Sequence, residues 1–114
     1  MSETTTASER ITAEVTAWPG VEAGLGERGE YGFTVRGQQI GHLHGDRVAH
    51  FGFPRELGAR LRDTGRVGPH PVNRHSPKLA ARSIETDEDV REVIALMRLN
   101  YDRVVGEERT EARR

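Results

Sequence analysis

The sequence predicts an α+β domain in which helices pack on one face of a mainly antiparallel four-stranded sheet, in the order α-β-β-β-α-β-α. Three observations carry that expectation. Val90, Ile94, Met97, Tyr101 and Val104 recur at 4-3-4-3 spacing, the stripe of a helix with one buried side. Tyr31, Phe33 and Val35 alternate with Gly32, Thr34 and Arg36, as a half-buried strand requires. The chain has 114 residues, enough for one domain, placed at 8–105 between an N-terminal tail (1–7) and a charged C-terminal tail (106–114) that carry no periodic apolar pattern.

Taken in order, Ser8 is expected to cap a short helix whose Ile11, Val15 and Trp18 share a face, and Pro19-Gly20 ends it. Residues 20–29 are Gly-rich and acidic, the composition of a loop. After the strand at 30–36, residues 36–39 turn the chain, and Ile40 to His44 pair back. Gly45-Asp46 suits a tight turn with glycine in its first central position. Arg47 to Phe53 then completes a three-stranded meander. Pro54 fits the first position of a helix, where its missing N–H is not needed; Leu57 and Leu61 form the buried stripe and Gly65 the stop. Residues 66–78, with three of the five prolines and two of the five histidines, read as a long surface loop of the kind that carries function. Leu79 to Ile84 form the fourth strand. Thr86 caps the last helix, and Asp87, Glu88 and Asp89 sit in its first turn, where the helix dipole favours them.

Composition narrows the function. There is no cysteine, so thiolate catalysis, disulfides and Cys-based metal sites are excluded and only His, Asp and Glu remain as strong metal ligands. The first residues, MSETTTASER, lack the basic and apolar regions of a signal peptide, and no apolar run is long enough to span a bilayer; a cytoplasmic protein is expected. Net charge is −1, but residues 53–82 hold seven Lys/Arg against two acids. On a helix from Pro54, Arg55 and Arg62 lie on one line opposite Leu57 and Leu61, Arg66 just past the end extends it, and Arg74, Lys78 and Arg82 follow in the loop and strand. Such a stripe suits phosphate or carboxylate, or is a solvated face balanced by Glu56 and Asp63. With three Phe, two Tyr and one Trp, mostly core by pattern, aromatics for stacking on nucleic-acid bases are scarce.

The most chemical stretch is "IGHLHGD" at 40–46. On a strand, Ile40, His42 and His44 share one side while Gly41 and Leu43 share the other. Two imidazoles do not define a site, and the candidates to complete one are His50, Asp46, His70 and His75. Three readings stay open: imidazoles on the wet face of a sheet, a metal site, or a metal-free ligand pocket. No metal or other cofactor is assigned. Nucleophile elbows, Walker loops and His-Glu-x-x-His are absent, and "GLGERG" at 24–29 lacks the strand-to-helix context of a dinucleotide fingerprint.

The run from Gly37 to His70, followed by the acidic-capped helix, resembles the small domain family labelled "luciferase". The resemblance rests on Gly-His-x-His-Gly at 41–45, Phe-Pro at 53–54, His70 and the helix ending in Tyr101. It spans roughly residues 17–105 and is most specific over 41–54. Family members usually carry a Trp near the start of the last strand, where this chain has Lys78-Leu79. Nothing in these residues suggests an oxygen-dependent light reaction. In layout, "WPGV" early and "NRH" late, the chain is also similar to the YjbR/MmcQ group, which implies a nucleic-acid or protein-binding role by analogy alone. The function expected is a binding module for a small anionic ligand or a protein partner, as monomer or homodimer. His42, His44, His50, His70, His75, Arg55, Arg62, Arg66 and Arg74 are its candidate ligand-binding residues. A small enzyme using the histidine cluster, with or without a metal, is the alternative.

Overall fold

Along the chain run α1 (Ala7–Val15), β1 (Val21–Leu25), β2 (Tyr31–Val35), β3 (Gln38–His44), β4 (Val48–Gly52), α2 (Arg55–Asp63), β5 (Gly68–Pro69), β6 (Leu79–Ser83) and α3 (Asp87–Ala112). The computed structural model describes residues 5–76 and 78–112, with side chains as far as Gly106. Of the segments read as tails, 1–4 and 113–114 lie outside the described residues, as does Pro77 of the long loop. The strands form one sheet in the order β1-β2-β3-β4-β6-β5, every neighbouring pair antiparallel. The α+β class and the antiparallel sheet are therefore as expected, with six strands rather than four.

The two additional strands have physical reasons to be hard to see. β1 falls in the Gly-rich segment expected to be loop; it is an edge strand paired only with β2, so Val21 and Ala23 are half-buried while Glu22, Gly24 and Leu25 face water. β5 is two residues of the long loop drawn against β6. Turns are also tighter than expected. Arg36 and Gly37, both at positive φ (54° and 79°), make a two-residue hairpin of the I′ kind, so β3 starts at Gln38 instead of Ile40. At the first helix, Thr6 is the cap in place of Ser8: its Oγ1 accepts from Glu9 N at 3.1 Å and Glu9 Oε1 accepts from Thr6 N at 2.9 Å, a reciprocal capping box. The Ser8 N–H instead donates to Asp46 Oδ1 at 2.8 Å, tying α1 to the β3–β4 turn.

β3 contains a bulge. Phe33 opposes Gly41 and Thr34 opposes Gln39, leaving Ile40 as the extra residue. Ile40 is fully buried in the core and does not share the histidine side that strict alternation gave it. Pro54 is the residue before α2, not its first. Gly65 (φ +77°) closes α2 as expected, with Gly65 N donating to Arg62 O and Arg66 N to Leu61 O, a Schellman pair. Thr86 caps α3 as expected, its Oγ1 accepting from Asp89 N at 3.1 Å. α3 then continues to Ala112.

The core lies between one face of the sheet and α1 and α3. Phe33, Ile40 and Leu43 meet Ile11, Val15, Val93, Leu96, Met97 and Val104, all essentially without exposure. Gly41 faces α3 so closely that a methyl group there would stand 2.7 Å from Met97 Sδ and 3.1 Å from Phe51 Cδ1. Asn100 is the one polar side chain fully enclosed among the described residues. Its Nδ2 donates to Ile40 O (3.2 Å) and Gly52 O (2.9 Å), satisfying carbonyls that the bulge and the end of β4 leave outside the ladder. Among the described residues no helix is long and apolar enough to cross a membrane.

Candidate functional site

The sheet face turned away from α1 and α3 carries the histidines. Leu43 opposes Ala49 and faces the core, so His42 and His44 on either side of it face outward. His50 on β4 stands directly opposite His42. His70, on the loop after β5, lies over His50. Ring centroids are 4.9 Å apart for His42–His44, 5.2 Å for His42–His50, 4.5 Å for His44–His50 and 4.4 Å for His50–His70. The rings adjoin a cavity of about 380 Å³ whose rim includes Glu27, Arg28, Glu30 and Val72.

The four rings are not equivalent. His42 Nδ1 lies 2.7 Å from Gln39 Oε1. A carbonyl oxygen only accepts, so Nδ1 carries the proton and Nε2 keeps its lone pair when the ring is neutral. Gln39 reaches His42 from three positions upstream because the bulge puts both on one face: their partners on β2, Thr34 and Gly32, are two apart. Gly32, having no side chain, leaves room beside the ring; a methyl there would meet Gln39 Nε2 at 3.0 Å. His70 is the reverse case. Its Nδ1 accepts from Val72 N (3.2 Å) and Asn73 N (3.3 Å), which places the proton of the neutral ring on Nε2. His50 is 8 % exposed, and its Nε2 is buried with no hydrogen-bond partner.

Electrostatics follow from this crowding. Burial, then the neighbouring His70, His44 and His42, hold His50 down to about 4, so it is neutral at physiological pH. Burial and His44 also lower His42, opposed by Glu30. Glu30 is itself held below the usual carboxylate range, chiefly by its backbone hydrogen bonds.

Of the sequence candidates, His42, His44, His50 and His70 come together. His75 does not: it is exposed on the loop and does not line the cavity. None of the four arginines lines it either. Arg62 turns inward, its Nη2 donating to Ser76 O (2.6 Å) and Leu79 O (3.1 Å), and so holds the long loop to α2. Arg66 pairs with Glu92. Arg55 and Arg74 are exposed. Arg82, next in the basic segment, pairs with Asp89 at 2.6 Å. Sequence reasoning missed Gln39, Glu27, Arg28 and Glu30, because the bulge and the β1–β2 hairpin that place them were not foreseen. A larger hollow, about 510 Å³, opens between α1 and the β2–β3 end, beside Thr12, Ala13, Tyr31 and Leu43. It is mostly apolar and no histidine lines it, so the histidine cavity is the candidate site.

The histidines of the site and the strands and loop that carry them fall within the part of the chain recognised by comparison, whereas the rim residues Glu27, Arg28 and Glu30 precede it. A family model described as the Luciferase domain matches residues 37–100, more than half of the chain, and takes in all of β3, β4, β6 and the loop bearing His70. Comparison with curated proteins and with solved structures gives no match. The Gly-His-x-His-Gly run, the buried His50 and the loop histidine thus sit inside a recognised domain, and the chain belongs to the Luciferase domain family.

Proposed function

We propose that the domain binds a small anionic ligand in the histidine cavity. The observation that carries this reading is the convergence of four imidazoles from β3, β4 and a distant loop, one with a buried and unpartnered nitrogen. Leaving a buried polar atom unpaired costs about 1–3 kcal/mol, and such an atom beside a cavity calls for a bound partner. A cavity of about 380 Å³ is metabolite-sized, and its concavity suits a small molecule better than the flat face of a protein partner. Arg28 at the rim is the guanidinium placed to meet a carboxylate or phosphate oxygen. Arg62 in α2 and Arg66 just after it do not enter the reading, since both already serve partners within the fold.

The test is an NMR titration of the full chain with small carboxylates and phosphates, following the histidine ring signals with and without added zinc. Shifts should concentrate on His42, His44, His50 and His70, and His44→Ala should abolish them. Shifts confined to His75, or none at millimolar ligand, overturn the proposal. A small enzyme working in the same cavity is the second reading, favoured by the buried His50 Nε2, which no other group engages.

A further inference from the structure

We infer that His42, His44 and His50 form a binding site for one divalent transition metal ion of the zinc class, with a coordination position left open toward the cavity. This deepens the proposed function, since the ion would supply the positive charge on which an anionic ligand sits. It is carried by geometry. The three residues offer ring nitrogens that all lie within 4.8 Å of one another. Bound to one ion at about 2.0–2.1 Å, three such nitrogens stand roughly 3.3 Å apart, so side-chain rotations of about an ångström close the set. No backbone movement is needed, because His42 and His50 are already cross-strand partners and His44 is the next residue on the same face.

The donor set has the right chemistry. Neutral imidazole is a preferred ligand for zinc, nickel, copper and iron, and three of them with an open fourth position is the pattern of sites that take an exogenous ligand. Gln39 does what supporting residues do around metal-bound histidines: it takes the Nδ1 proton of His42 as a hydrogen bond, fixing the ring and leaving Nε2 to bind. His50 Nε2, in a residue more than nine-tenths buried, has no hydrogen-bond partner and so is not committed to another group. His70 is excluded from the set by its own hydrogen bonds, because Nδ1 is already an acceptor for two backbone N–H groups. It covers the site instead, with Nε2–H as a donor for whatever occupies the open position. Charge points the same way. Glu27 and Glu30 outnumber Arg28 at the rim, so without a cation the cavity is a poor place for an anion.

The experiment uses the full chain, freed of any histidine tag and stripped with chelator, titrated calorimetrically with zinc chloride and followed optically with cobalt chloride. The expected result is one ion per chain with micromolar or tighter affinity, and the visible absorption of cobalt with nitrogen ligands in a four- or five-coordinate site. His42→Ala and His44→Ala, at half-buried positions that tolerate truncation, should each weaken binding at least a hundredfold. Gln39→Ala should weaken it about tenfold while keeping one ion per chain. His70→Ala should leave metal affinity within about threefold. No binding below about 100 μM, or binding that survives the His42→Ala, His44→Ala double change, overturns the inference. Binding lost equally in His70→Ala overturns the three-ligand assignment. The two proposals fail separately: anion-induced shifts without zinc and no metal uptake overturn the metal alone, whereas metal uptake with no response to any anion overturns the ligand reading alone.

Discussion

Replacing Gly41 with alanine isolates the contact that sets how closely the histidine strand approaches α3. The backbone there is not in the left-handed region, so alanine carries no conformational penalty and the whole effect is steric. The new methyl group would stand 2.7 Å from Met97 Sδ, 2.8 Å from Met97 Cε and 3.1 Å from Phe51 Cδ1. Met97 is flexible, but it is fully enclosed among close-packed core side chains. Overpacking of this kind costs about 1–3 kcal/mol. Met97→Ala alone should cost about 2–5 kcal/mol by emptying a packed site. In the double variant the alanine methyl at 41 occupies part of the space that the methionine vacates, so the combined loss should fall short of the sum by about 1 kcal/mol or more. Urea unfolding of the three variants and the parent, followed by circular dichroism, completes the cycle. Additivity to within about 0.5 kcal/mol would refute the claim that the glycine is there to make room for Met97.

Asn100→Ala should cost about 2–4 kcal/mol in the same assay, because it strands the carbonyls of Ile40 and Gly52 in the core; a loss under about 1 kcal/mol would show that water replaces the amide. Asp89 is held down to about 2 from its ordinary 3.8, first by the Arg82 side chain and then by backbone N–H bonds at the start of α3. A carboxyl depressed on folding stabilises the fold above its unfolded value and loses that contribution as pH falls from about 4 to about 2. After discounting for solvent screening, the stability gap between parent and Asp89→Asn should be about 1 kcal/mol above pH 4 and close near pH 2; a gap independent of pH would remove the carboxylate from the account.

What the sequence disclosed, and what it hid, divides by range of interaction. The stripe from Val90 to Val104 is written locally, in side-chain spacing, and α3 follows it, with Val90, Met97, Tyr101 and Val104 all buried. The same holds for the alternation of β2 and for His42 and His44 sharing a face. That His50 and His70 would join them was readable as a shortlist, since a third and fourth group had to come from a neighbouring strand or from the histidine-bearing loop. Other features depend on residues distant in sequence. β1 exists because β2 offers it an edge, not because its Gly-rich residues favour a strand. Arg62 reads as surface charge until Ser76 and Leu79 fold over it. Asn100 lies in an apolar stretch, and only the course of two strands shows why an amide is needed there.

The bulge at Ile40 also works as a parity switch. In an unbroken strand, residues an even number apart share a side, so Gln39 and His42 would be assigned to opposite sides and the hydrogen bond between them would be unthinkable. One inserted residue reverses that rule for everything upstream while leaving His42 and His44 in phase. Removing Ile40 would leave an unbroken ladder in which Gln39 stands two residues before His42, still opposite Thr34 and on the histidine face, with the Val35–Gln38 pair at the turn kept; what the inserted residue adds is the Ile40 side chain in the core. Anyone transplanting the three histidines together with Gln39 at its present spacing onto another hairpin would need to carry the irregularity along with the ligands.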